Sequence, residues 1–242
     1  MKGSLAPWFA SAEQSSVYPH EYERPLATAA FNNTIYGSKM MRRITDSLLS
    51  MAWGYNIFQG AVGGSGSIRT YLSEHVRPQP GDHVLDIGCG TATILDSLPG
   101  VHYVGVDLSP GYVRQASSRY GGRAEFHCQS IEQFVVGNPG TFDIVMANGV
   151  VHHLDDASAA ALFSAARLAL KPTGRLLTRD GCYVPDQSRI ARWLISNDRG
   201  RHVRNESQYV QLASSCFATV HTRIRHDLLR VPYTHLIMEC SR

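Results

Sequence analysis

A chain of 242 residues, 43% of them apolar, can bury one sizeable α/β core with decorations, and it has no apolar run long enough to span a membrane. The formal charge of +3 is unevenly spread: residues 81–170 carry four arginines and no lysine against nine acids, and residues 171–242 carry twelve basic against six acidic side chains. The basic end suits an anionic or electron-rich partner, or is simply a solvated face. Cys89, Cys128, Cys182, Cys216 and Cys240 form no CxxC pair, which argues against a zinc ribbon or a redox motif, and no metal is expected. Lys2 precedes no long apolar stretch, and Glu13, Glu21 and Glu23 oppose a basic transit peptide, so a cytoplasmic protein with reduced thiols is expected.

Residues 1–38 show no sustained period and contain Pro7, Pro19 and Pro25, which predicts an irregular arm. Ile44, Leu48, Met51 and Tyr55 recur at helical spacing over residues 40–58, and GGSGS at 63–67 separates this helix from a second one that ends at RPQPG. Residues 1–80 therefore read as an arm plus a helical cap, and 81–242 as the core. From His83 the pattern changes to short apolar strands alternating with helices: VLDIG, YVGVD, AEFHC, FDIVMAN and GRLLTRD. That alternation predicts a mostly parallel sheet with helices on both faces. Ser109-Pro110 and Asp155-Asp156 mark helix starts, and Lys171-Pro172-Thr173-Gly174 should close the second of these helices. Residues 188–214 read as one or two helices in an insert at about 183–214. Residues 218–224 and 235–240 come next as strands with no helix between them, and should pair antiparallel.

The turn after the first strand, Gly88-Cys89-Gly90, supplies GxG, but Thr93 stands where a dinucleotide fingerprint has its third glycine. Asp86 beside this turn would repel a pyrophosphate and favour a cation, such as the sulfonium and α-ammonium of S-adenosylmethionine. Asp107 closes the next strand, where a carboxylate can accept hydrogen bonds from both ribose hydroxyls.

With VLDIGCGTA, GVDLS, FHCQSIEQF, FDIVMANGVVHHL and LKPTGRLL in place, the chain from about residue 81 to 181 resembles the class I S-adenosylmethionine-dependent methyltransferases, particularly the small-molecule group. The resemblance implies a Rossmann-like, seven-stranded sheet whose last strand runs antiparallel. It implies that Asp86, Gly88, Cys89 and Gly90 hold the methionine part of the donor, that Asp107 and Leu108 hold the ribose and adenine, and that Asn148 and Val151 form the donor's underside. An acid often meets the adenine amino group in this family; here Ser130 occupies that place beside Ile131, and its hydroxyl can accept the same bond.

Methyl transfer from a sulfonium needs alignment first, worth about 7–11 kcal/mol, and a base only where the acceptor must lose a proton. His152 and His153 follow the fourth strand and Asp180 follows the fifth; in the sheet order that the resemblance implies these strands are neighbours, so an imidazole and a carboxylate should share one rim. The resemblance supports His152 as base with Asp180 orienting it and His153 as the alternative, while packing of the following helix explains the same residues structurally. The arginines of RIARWLISNDRGRHVRNESQY suit an anionic acceptor, with Arg199 and Arg204 the preferred clamp; Tyr183, Tyr233 and His235 should line the mouth, and Tyr55 and Phe58 of the cap helix should close over the site. The expected partner is a small-molecule acceptor, and a homodimer is compatible with the sequence. A nucleic-acid methyltransferase is disfavoured, because Asn148 precedes Gly-Val-Val and lysine is scarce. A non-catalytic donor-binding scaffold is the rival of a different class.

Overall fold

The computed structural model describes residues 64–98, 100–197 and 200–242. The expected helix over 40–58 with Tyr55 and Phe58, and Arg199 of the insert, lie outside the described residues. Strands β1 (His83–Ile87), β2 (His102–Asp107), β3 (Ala124–Cys128), β4 (Phe142–Asn148) and β5 (Leu170–Tyr183) are mutually parallel where they pair. The two-residue β6 (Arg204–Asn205) adds to the end of β5, and β7 (Thr219–Arg225) and β8 (His235–Ser241) complete the order β3-β2-β1-β4-β5-β8-β7. Strand β8 runs antiparallel to both β5 and β7, as the missing helix between the last two strands requires. Only β6 is an addition to the expected sheet.

Alternation along each strand divides the apolar residues between two faces. Leu85, Ile87, Val145 and Leu176 meet α3 (Ile131–Val136), α4 (Asp156–Ala169) and, beyond α5 (Arg189–Asn197), α6 (Glu206–Ser214). Val84, Tyr103, Ile144 and Leu177 meet α1 (Gly64–Tyr71), the turn Leu72–Val76 and α2 (Pro110–Tyr120). Each fully buried side chain of this kind stabilises the fold by about 1.5–3 kcal/mol. Ser109 caps α2 by accepting from the Tyr112 N–H at 3.4 Å, with Pro110 as the first helical residue, and Asp155 caps α4 through the Ser158 N–H at 2.8 Å.

Two elements differ from the expectation. The segment 171–174 does not close a helix: α4 ends at Ala169 and the chain passes directly into β5, with a register shift against β4 between Phe142 and Ile144. The extra residues are absorbed as an irregularity at the start of the strand, where Lys171 pairs with Asp143 at 2.7 Å. The second N-terminal helix, α1, belongs to the core. Tyr71, Leu72 and Val76 are buried in the second cluster, Arg175 donates to the carbonyls of His75 and Val76, and Arg77 meets Glu239 at 2.6 Å.

Candidate functional site

The carboxyl ends of β2, β1, β4 and β5, with the start of the antiparallel β8, carry a row of polar side chains. Asp107, at the end of β2, accepts from the Gly90 N–H at 2.9 Å and the Ser109 N–H at 2.8 Å, so one carboxylate ties the glycine turn to the start of α2. Burial raises its pKa, against the pull of these backbone N–H groups. Its oxygens retain lone pairs for further donors, and Leu108 beside it is 41% exposed, an apolar surface at the site's edge. Gly88 and Gly90 both adopt positive φ, at 68° and 55°. A Cβ on Gly88 would meet Val150 Cγ2 at 2.7 Å, whereas one on Gly90 would meet nothing within 4 Å, so the turn is pressed against Val150 and open at Gly90. Cys89 fills the space over Gly105.

Asp86 is buried and accepts from the Tyr103 hydroxyl at 2.6 Å. Burial pushes its pKa up to about 7; the Tyr103 bond opposes this and the nearby Asp107 adds to it. The glycine turn leads into the five-residue 3-10 turn Thr93–Ser97, not into an α-helix. The aligned backbone dipoles that receive a pyrophosphate in dinucleotide folds are therefore missing from this turn.

On β4, Asn148 Oδ1 is buried without a hydrogen-bond partner among the described residues. Val151 offers no side-chain surface to a ligand: it is fully buried in the first core cluster, whereas Val150, against Gly88, is only half-buried. The sequence signal for Val150 was weak because a one-residue offset at a strand end depends on how the turn is wound. Ser130 caps α3 in a capping box with Gln133, and Ile131 packs into the core.

His152 Nδ1 lies 2.8 Å from Asp180 Oδ1, and the same oxygen accepts the His152 backbone N–H at 3.2 Å. Both side chains are buried, and the His153 ring lies 4.1 Å from that of His152. The expected pairing across β4 and β5 is thus formed. Gly200 covers it: a Cβ there would collide with His152 Cδ2, so no other residue fits without displacing the imidazole or the backbone. The loop is held by the His202 N–H on the His152 carbonyl at 2.9 Å.

Arg204 is not an acceptor clamp. Nε donates to Asp156, Nη1 to the Val151 and His202 carbonyls, and Nη2 to the Leu154 carbonyl and Asp156, so every guanidinium N–H serves the chain itself. Its burial against the turn after β4 gives it a structural task, namely to pin the insert over His152. Arg204→Met should therefore lower the urea midpoint by an amount corresponding to about 3–5 kcal/mol, because three carbonyls lose their donor together. A midpoint within experimental error of the wild type would reject that role. Arg175 and Arg225 are likewise bonded within the chain, so these parts of the basic end serve the fold.

Tyr183 receives the Arg192 guanidinium 5.3 Å from its ring centre. The Tyr233 and His235 rings lie 4.7 Å apart near the start of β8, with the Tyr233 hydroxyl close against Gly181. His235 Nδ1 is buried without a partner, and burial, reinforced by Arg179 and His152, depresses the imidazole pKa to about 3. It is a neutral group at physiological pH. Tyr233 also lines a cleft of about 500 Å³ between residues 186–191 and 226–234, together with Ser188, His226, Arg230 and Thr234. Sequence reasoning missed Arg179, which sits 4.9 Å over the Tyr71 ring at the end of β5. Its only signal was the second of the two arginines in GRLLTRD, and nothing in the sequence separates it from Arg175.

Comparison with known proteins matches residues 84–174, the whole run from β1 to the start of β5, to the family described as methyltransferase domain. The ubiquinone biosynthesis O-methyltransferase of Xylella fastidiosa (strain 9a5c) is 32% identical over 111 residues, 44% of this chain and 44% of that protein. An O-methyltransferase of Pyrenophora dematioidea is 32% identical over 155 residues, 55% of this chain and 56% of that protein. The chain thus spans about half the length of the curated relatives it matches. Among solved structures, Haemonchus contortus phosphoethanolamine N-methyltransferase 2 in complex with S-adenosyl-L-methionine superposes with a TM-score of 0.61 at 21% identity, over 78% of this chain and 47% of that one. That likeness concerns the fold, and it agrees with the mostly parallel sheet and antiparallel β8 described above. No described helix is long and apolar enough to cross a membrane.

Proposed function

We propose that the protein transfers a methyl group from S-adenosylmethionine to a hydroxyl of a small-molecule acceptor. The observation that carries this reading is the pair of strand-end carboxylates, Asp86 and Asp107, flanking an open glycine turn with no α-helix behind it. Those residues fit a ligand that offers a cation and two ribose hydroxyls, and they suit a dinucleotide poorly. The orphaned Asn148 Oδ1 is a further acceptor for an ammonium N–H. Asp86 would hold the ammonium, Asp107 the ribose, Leu108 one face of the adenine, and Val150 with Gly88 the floor.

When bound, the donor supplies a methyl group already activated on a sulfonium. His152 would take the proton from the acceptor hydroxyl on Nε2, because Nδ1 is held by Asp180, and Asp180 would balance the imidazolium so formed. The names of the curated relatives, which are O-methyltransferases, support oxygen as the attacking atom. The cleft bordered by Tyr233 is where the acceptor would enter.

Calorimetric titration with S-adenosylhomocysteine and with NAD tests the donor. The protein should bind the first and not the second, and Asp107→Ala should weaken binding by about 1.5–3 kcal/mol, the worth of a hydrogen bond to a charged group. Preference for NAD, or undiminished affinity in the variant, would overturn the reading.

A further inference from the structure

Among the described residues Arg179 is an unusual cation. It is half-buried at the carboxyl end of β5, on the same face as Asp86, and among the described residues its guanidinium has neither a carboxylate nor a carbonyl partner. Arg175, Arg204 and Arg225 each spend their N–H groups on such partners. The Tyr71 ring attracts the charge of Arg179 but consumes none of its N–H donors. Two further orphans lie with it: Asn148 Oδ1, on the residue directly paired with Arg179 across β4 and β5, and the buried Tyr71 hydroxyl. A guanidinium fork without a counter-ion, beside an unpartnered hydroxyl donor, is a site prepared for a carboxylate.

Resting on the donor reading above, we infer that Asp86, Asn148 and Arg179 together read the zwitterionic amino-acid end of the donor, with Arg179 receiving its carboxylate. An α-amino acid carries its ammonium and carboxylate on one carbon, so its receptor needs an anion and a cation set a short span apart. Asp86 on β1 and Arg179 on β5 are separated by the single strand β4, about 10 Å between backbones. The long arginine side chain shortens that span, and Asn148 stands between the two. Charge order along the sheet then fixes the donor's direction: ribose at β2, ammonium at β1 and β4, carboxylate at β5. The two charges also discriminate, since a nucleoside without the amino acid satisfies neither.

The test uses the full chain and two ligands, S-adenosylhomocysteine and 5′-methylthioadenosine, which shares the adenine, ribose and thioether but lacks the amino acid. In calorimetry, Arg179→Gln should raise the Kd for S-adenosylhomocysteine at least tenfold and leave that for methylthioadenosine within twofold. Arg179→Lys, which keeps the charge but not the fork, should raise the first about threefold and leave the second unchanged; it decides the matter if the glutamine variant does not fold. Unchanged affinity for S-adenosylhomocysteine, or parallel loss of both ligands, overturns the role of Arg179 while the donor reading stands. Wild-type protein that binds neither ligand overturns both.

Discussion

Asp86→Asn should give a protein that is harder to unfold and poorer at holding the donor. Burial lifts the carboxyl pKa from 3.8 to about 7 in the folded protein. Between those values the native state keeps a proton that the unfolded chain has lost, so stability falls as pH rises through the window and the full penalty is present above pH 7. The size of the shift sets that penalty on the order of 2–4 kcal/mol. Asparagine has the same shape, can still accept the Tyr103 hydroxyl and never ionises. Its melting temperature at pH 8 should exceed that of the wild type by several degrees, and the gap should close towards pH 4. Donor affinity at pH 8 should drop at least tenfold, because the carboxylate facing the ammonium is gone. For the same reason, wild-type affinity should weaken as pH falls below about 7. Melting curves across pH, together with titrations of S-adenosylhomocysteine, check both halves. A stabilised variant with wild-type affinity would make Asp86 a structural acid only. Such opposition between stability and binding is what a charge retained in a core for its ligand produces.

His152→Ala and Asp180→Asn should each lower kcat by about 10² or more while the Kd for S-adenosylhomocysteine stays within twofold. The asparagine would leave the ring in place but no longer balance an imidazolium, so shape is kept and chemistry is lost. Because the two act as one unit, the double variant should lose less than the product of the single losses. The acid limb of the wild-type rate profile should vanish in His152→Ala. An enzyme working by alignment alone would show losses under tenfold in both variants and a flat profile. Measurement under saturating donor, with the acceptor found by a screen for S-adenosylhomocysteine release, separates these outcomes.

Much of this protein is written locally in its chain. The strands β1 to β5 arise from alternating apolar runs bounded by glycine, proline and acidic residues, and their parallel order from the helices that must connect them. Ser109 and Asp155 were legible as caps because capping depends on residues three apart. Asp86, Gly88, Gly90 and Asp107 were legible as a candidate site because they end adjacent strands, and the contact of His152 with Asp180 follows from β4 lying beside β5.

Which partner each side chain meets was settled only by packing. Arg204 and Arg179 look alike as isolated letters, yet one is surrounded by the carbonyls of the turn after β4 and the other stands over Tyr71 with no counter-ion among the described residues. Gly200 became necessary only when the insert folded down onto His152, and Val150 displaced Val151 through the winding of one turn. The reason is physical. Periodicity and capping act over a few residues of backbone and can be read from order alone, whereas charge pairing, burial and close approach join positions tens of residues apart and exist only once the chain has packed.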